Sequence, residues 1–352
     1  MLSFEKLFTP IWDTEIVYDE SLMMLFDENG IAEAPLLFDP IEIISVTDSK
    51  GKKVYEENID YIIKNGKLRL TENSRIFAFK QEEFFLDEEL EGRCFPIYDK
   101  YLRFSEGDFF ISRQIVVTYI CKKGEWKGVR PQLVDFLIPN TFSKLRSGEN
   151  FNLVVFGDSI SSGCNNTKSL NIPPYQPGYA DLLYMALEER YGNNITYVNT
   201  SCGGKESVWA INNVEERVNA HNPDLVIYGF GMNDGGKTPE EFEKNVREFI
   251  SCVIKKNSNC DFLLIATTLP HAILTDSRAK FCGNQHLFKE RLDSIASDPK
   301  LKGRVAVADI TAMHKYLIEN KRFIDMTSNN VNHPNDFLYR CYANFLKEML
   351  CD

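Results

Sequence analysis

From residue 151 onward the chain changes its hydrophobic period. Five short, nearly continuous apolar runs appear: NLVVFG (152–157), ITYVNT (195–200), DLVIYGFG (224–231), DFLLIATT (261–268) and RVAVAD (304–309). Among them lie stretches of helical period at 179–192, 207–222, 239–256, 286–297 and 336–350. A strand that is apolar on both faces must be covered on both sides. The alternation therefore predicts a parallel sheet between two layers of helices. Such a sheet carries its functional groups beyond the carboxyl ends of its strands.

Before residue 140 the pattern is that of strands. IEIISVTDS (41–49) is β-branched, and YIIKNGKLRL (61–70) holds Asn65-Gly66 between two apolar runs, the turn chemistry of a hairpin. ISRQIVVTYIC (111–121) is β-branched and nearly continuous in its apolar residues. Sheets with one apolar face must bury it against another layer, which predicts a β-sandwich, jelly-roll-like, over residues 1–140. LIPNTFSKLRSGEN (137–150), with its Pro, Asn and Ser, has the composition of a linker. The expected division is a β domain at 1–140, a linker at 141–150 and an α/β domain at 151–352.

A net charge of −11 with no Lys/Arg-rich block argues against a nucleic-acid or anionic-membrane partner. No apolar run approaches the length needed for a membrane span. The first twenty residues lack the basic and apolar regions of a secretion signal. Nine cysteines without CxxC pairs fit reduced thiols, so a cytoplasmic protein is expected. The five histidines show no metal-binding spacing, and neither metal nor organic cofactor is expected.

Four short segments fall at predicted strand ends or in the last loop. FGDSIS places Ser159 just beyond the first α/β strand, where a serine either caps a helix or presents its hydroxyl for chemistry. It is not the G-x-S-x-G elbow, because position 161 is Ser. NTSCGG puts Gly203 and Gly204 where the chain leaves the second strand. GFGMND ends the third strand with Asn233, and NNVNHP carries His333 near the C-terminus. A glycine at a strand end lets a backbone N–H approach a ligand, and the Asn233 amide would point into the same cleft as Ser159.

In the order Ser, Gly, Asn, His these blocks closely resemble the SGNH (GDSL) hydrolase family over roughly residues 150–351. The resemblance implies a three-layer, flavodoxin-like α/β fold and ester hydrolysis through a serine nucleophile, with a base and donors for the oxyanion. It carries over Ser159 as nucleophile and Gly204 and Asn233 as oxyanion donors beside the Ser159 N–H, with His333 as base. A β domain ahead of such a domain is also similar to the two-domain carbohydrate esterases of family two, which remove acetyl groups from sugars.

One position departs from the pattern. The family's last block is Asp-x-x-His, and here the aspartate position holds Asn330. An amide cannot balance an imidazolium charge. The expectation is a Ser159–His333 dyad, its Nδ1–H received by the Asn330 side chain or a backbone carbonyl, with Asp325 and Asp336 as alternative carboxylates. The expected substrate is a small acyl ester, acetyl on a saccharide, on the strength of polar candidate walls at Tyr175, Tyr179 and Asn284. A lipase or thioesterase for longer chains, and a non-catalytic carbohydrate-binding protein, are the competing readings.

Overall fold

The computed structural model describes residues 2–192, 194–274 and 279–352. The α/β half is built on five parallel strands, Phe151–Gly157, Ile195–Asn199, Leu225–Gly229, Asp261–Ala266 and Val305–Asp309. In space their order is second, first, third, fourth, fifth. This is the flavodoxin-like order, and it places a topological switch point beside the first strand. Along that strand Leu153 and Val155 face one core while Val154 and Phe156 face another. The two-residue alternation of side chains thus feeds two helical layers. Helices Tyr179–Tyr191, Ile310–Asn320 and Asp336–Leu350 cover the first face. Helices Pro239–Lys256 and Phe288–Ala296 cover the second. The domain is therefore a three-layer, doubly wound α/β fold.

The N-terminal half is a β domain. Among the described residues its ten strands pair antiparallel into sheets of four, three and three strands. The largest contains Ile16–Met23, Gln114–Cys121, Pro40–Asp48 and Val54–Tyr55. The hairpin at 61–70 turns through Asn65 and Gly66 at φ 52° and 70°, both left-handed as that two-residue turn requires.

Two stretches differ from expectation. The segment expected as a linker is a helix, Pro139–Ser147, begun by proline at its first position and ended by Gly148 at φ 74°. Its Thr141, Phe142 and Leu145 are buried, and the Thr141 N–H and hydroxyl donate to the Asp261 carboxylate at 2.8 and 2.9 Å. The helix Ile310–Asn320 was not anticipated. It follows the last strand without a loop, with Asp309 accepting from the Ala312 N–H at 2.9 Å.

The halves share one continuous core, in which Trp12, Val17 and Tyr119 belong to the same apolar cluster as Leu153, Leu183 and Leu338. A buried polar seam runs along the same boundary. Lys321, from the α/β half, pairs with Glu20 of the Ile16–Met23 strand at 2.9 Å, both side chains being wholly buried. Glu20 also accepts from Tyr119 Oη at 2.7 Å and from the Leu37 N–H. Asp325 receives the Met23 N–H at 2.7 Å, and Gln114 Nε2 donates to the Thr327 carbonyl at 2.8 Å. Asn335 Nδ2 bridges Ser21 and Gln114 at 2.8 and 3.0 Å.

This seam generates a stability prediction. Lys321→Ala leaves Glu20 charged, buried and without its cation, and should cost about 3–5 kcal/mol in urea unfolding. Combining Lys321→Met with Glu20→Gln should recover at least half of that loss. A single variant as stable as wild type would show that the pair does not anchor the boundary.

Candidate active site

Ser159 owes its position to two glycines. A side chain at Gly157 would put its Cβ 2.2 Å from Ser161 Oγ and 2.7 Å from the Gly229 carbonyl. One at Gly229 would meet Ser161 Oγ at 2.3 Å. The bare strand ends therefore admit Ser161, whose hydroxyl lies 2.6 Å from Tyr179 Oη and donates to the Gly229 carbonyl. With residue 161 tucked inward, Ser159 projects from the sheet end. No helix begins there: residues 158–172 run through successive turns, and the next helix starts at Tyr179. Ser159 is thus not a helix cap. Its own N–H has no hydrogen-bond partner among the described residues.

His333 arrives on the loop 326–335. Thr327 and Pro334 form an isolated bridge, and the Ser328 N–H and Thr327 hydroxyl both donate to the His333 carbonyl. Inside this loop Asn329 Oδ1 accepts the N–H groups of Val331, Asn332 and His333, each at 3.0 Å. The result is a locked imidazole, with His333 Nε2 at 2.9 Å from Ser159 Oγ. Both residues are buried to within 8% of full.

The two expected donors lie in the segments that follow the second and third strands. The backbone at Gly203 passes so close that a Cβ there would lie 3.6 Å from that of Ser159, and Gly204 turns away at φ 71°. The Gly204 N–H has no hydrogen-bond partner among the described residues. Asn233 sits in the short 3-10 turn Met232–Asp234, which is reached through Gly231 at φ 138°. Its Nδ2 gives one hydrogen to the Lys205 carbonyl at 3.1 Å, which leaves the other N–H available. Asp234 fixes this turn by accepting the N–H and hydroxyl of Ser207, and burial raises its pKa to about 6. Below Ser159, Asp158 is fully buried. Its Oδ1 accepts the Ile160 N–H at 3.0 Å, while Oδ2 has no partner among the described residues. Desolvation pushes this carboxyl up to about 7.

The group facing His333 Nδ1 differs from every expected one. Asn330, in the left-handed region at φ 70°, donates its amide to the Arg103 carbonyl at 2.8 Å. Its side-chain oxygen is buried without a partner, and its carbonyl receives His271 Nδ1 at 3.1 Å. Asp325 is engaged by Met23 and Arg322, and Asp336 by the N–H and hydroxyl of Thr167. What lies nearest Nδ1 is Glu106 of the β domain, with Oε2 3.2 Å away, followed by Asn165 Nδ2 at 3.4 Å. Glu106 was not anticipated from the sequence, since it lies 227 residues from His333 in a turn with no motif of its own. Its side chain is half exposed; partial desolvation by its neighbours raises the carboxyl pKa, but the imidazole and the amides of Asn165 and Asn329 outweigh that, so the pKa falls below its ordinary value.

Of the expected walls, Tyr179 is not at the site, being fully buried and stacked on Tyr342 at 4.1 Å. Tyr175 is exposed, and Asn284 is tied to the Lys237 carbonyl. Among the described residues no helix is long and apolar enough to cross a membrane, and no group of three His, Cys, Asp or Glu could hold a metal.

The family model described as GDSL-like lipase/acylhydrolase matches residues 155–341. An arylesterase from Vibrio mimicus is 29% identical over 120 residues, 34% of this chain and 55% of that protein. The chain thus spans about half the length of this curated relative. Among solved structures, a two-domain esterase active on acetylated mannans aligns with 62% of this chain and 53% of its own, at 17% identity and a TM-score of 0.47. A catalytic mutant of an acetylxylan esterase from Geobacillus stearothermophilus aligns with 56% of this chain and 93% of its own, at 17% identity and a TM-score of 0.45.

The raised carboxyl of Asp158 predicts a pH dependence. Its pKa rises from an ordinary 3.8 to about 7, so the folded state holds a proton that the unfolded chain releases. That stabilisation is complete below about pH 4 and is lost as pH rises through 7. Asp234 and Asp336, each raised to about 6, act in the same direction. Urea unfolding of Asp158→Asn should therefore lose less stability than wild type between pH 4.5 and 7.5. Parallel curves would mean that Asp158 ionises normally in the folded protein.

Proposed function

We propose that this chain, which belongs to the GDSL-like lipase/acylhydrolase family, is a serine esterase that cleaves small acyl esters, acetyl foremost, from a polar, saccharide-like alcohol. The observation that carries this reading is the 2.9 Å contact between Ser159 Oγ and His333 Nε2 at the carboxyl edge of the sheet. That distance is within reach for general-base activation of a hydroxyl.

The reaction follows from the placement of the groups. As Oγ attacks the ester carbon, its proton passes to Nε2 and the carbonyl π pair moves onto oxygen. The N–H groups of Ser159 and Gly204 and the free N–H of Asn233 receive that charge, each worth on the order of 3 kcal/mol. Collapse of the tetrahedral intermediate breaks the bond to the alcohol, which leaves with the proton from Nε2. Water, deprotonated by the same nitrogen, then releases the acid and restores Ser159. The proposed alcohol is polar because the side chains against the imidazole are Glu106 and Asn165, and the Glu106 carboxylate remains half exposed beside the nucleophile. Such a neighbour suits a hydroxyl-bearing alcohol better than a long apolar chain.

p-Nitrophenyl acetate, butyrate and octanoate, together with an acetylated oligosaccharide, test both levels of the proposal. Acetyl esters should turn over fastest, with kcat/KM falling at least tenfold by octanoate. Ser159→Ala should reduce kcat by about 10³-fold or more without altering the melting temperature by more than a few degrees. Octanoate cleaved faster than acetate would favour a lipase. Equal rates for wild type and Ser159→Ala would remove the nucleophile.

A further inference from the structure

In the esterase proposed above, His333 becomes positively charged in each half-reaction and must hold its Nδ1 proton throughout. We propose that Glu106, contributed by the β domain, is the positioning carboxylate that meets both needs, so that the two domains form one catalytic unit.

The hydrogen bonds around Glu106 leave little freedom in the proton arrangement. Oε1 accepts Asn329 Nδ2 at 3.2 Å, and Oε2 accepts Asn165 Nδ2 while facing His333 Nδ1. The two amides approach through their NH₂ groups, so the carboxylate is supplied with donors and stays ionised. Asn165 Nδ2 also lies 3.4 Å from Nδ1, but it gives a hydrogen to Glu106 Oε2, so the nearer, ionised carboxylate sets a proton on that nitrogen. Nε2 is then left with its lone pair toward Ser159, the tautomer a general base must have. Glu106 takes no proton in this scheme. It orients the ring and stabilises the imidazolium.

The turn that presents Glu106 is built for precision. Phe104 packs edge-on against Phe95 at 5.0 Å, and Phe95 in turn against Phe281 of the α/β domain at 5.1 Å. On the other side Phe110 is fully buried among Phe79, Phe84 and Phe109. Between these anchors Gly107 turns at φ 84° and directs its N–H at Asn165 Oδ1, 3.4 Å away. Asn165 thus grips the turn twice, through Gly107 and through Glu106. Asn329 belongs to the loop that carries the base, so one amide from each side of the cleft holds the carboxylate. An incidental surface ion pair has no such support. The titratable groups facing the imidazole are Glu106 and, from beneath Ser159, the buried Asp158.

The test uses the full chain as wild type, Glu106→Gln, Glu106→Ala, Glu106→Asp and Ser159→Ala. Glu106→Gln and Glu106→Ala should lower kcat for p-nitrophenyl acetate by about 10²–10⁴-fold with KM changed less than threefold. Glu106→Asp should retain more activity than either, and added formate should restore part of it to Glu106→Ala. In ¹H NMR the hydrogen-bonded His333 Nδ1–H should give a downfield resonance in wild type that is lost or moved upfield in Glu106→Gln, because the carboxylate that receives this proton is gone. Unchanged kcat together with an unchanged Nδ1–H resonance would overturn the proposal. Should wild type and Ser159→Ala prove equally inert to every ester, the esterase reading falls, and the Nδ1–H resonance alone decides whether Glu106 governs the imidazole.

Discussion

The wholly buried ion pair between Lys321 and Glu20 is the constraint on which the rest of the site depends. Two charges removed from water are tolerated only where each finds several compensating partners. Glu20 finds them in Tyr119 and the Leu37 N–H, and Lys321 in the Ser21 carbonyl at 3.0 Å. Those partners all belong to the β half while Lys321 comes from the α/β half, so the arrangement exists only when the halves are docked in one register. From Lys321 the contacts pass directly to Arg322 and Asp325, and then to the loop that ends at His333. The placement of His333 is thus tied to strands some 300 residues earlier in the chain.

The α/β architecture was legible in the sequence because its determinants are local. A buried parallel strand must be apolar on both faces, and the helices between strands carry a period that a single sequence displays. Ser159, Gly204, Asn233 and His333 could be picked out for a related reason. Each sits at the end of a strand or in the final loop, so topology brings together what linear spacing does not. The helix Pro139–Ser147 had its signals in view, with proline at the start and glycine at the end, but the polar residues between them suggested a linker. Only its burial against Asp261 reveals the apolar stripe as a packed face.

Glu106 was illegible for a deeper reason. A carboxylate in an Ser-Glu-Gly-Asp turn has the composition of any solvated loop, and its meaning comes wholly from a tertiary contact across 227 residues. Asn330 misled in the complementary way. Its place three residues before His333 invited a role at Nδ1. The left-handed backbone at that residue instead directs the amide toward Arg103, on the strand Lys100–Arg103 of the β domain. The same contact that withdraws Asn330 from the imidazole helps to hold the turn carrying Glu106 in place.

Asn330 therefore acts as a strut that ties the loop of His333 to the β domain. An aspartate at that position would set its carboxylate against the Arg103 carbonyl, an acceptor with no hydrogen to give, and would bring a second negative charge toward Glu106. Positions 106 and 330 thus serve one boundary between the domains, and substitutions at the two are expected not to add. Detaching the β domain would remove both the strut's anchor and the carboxylate that faces the imidazole.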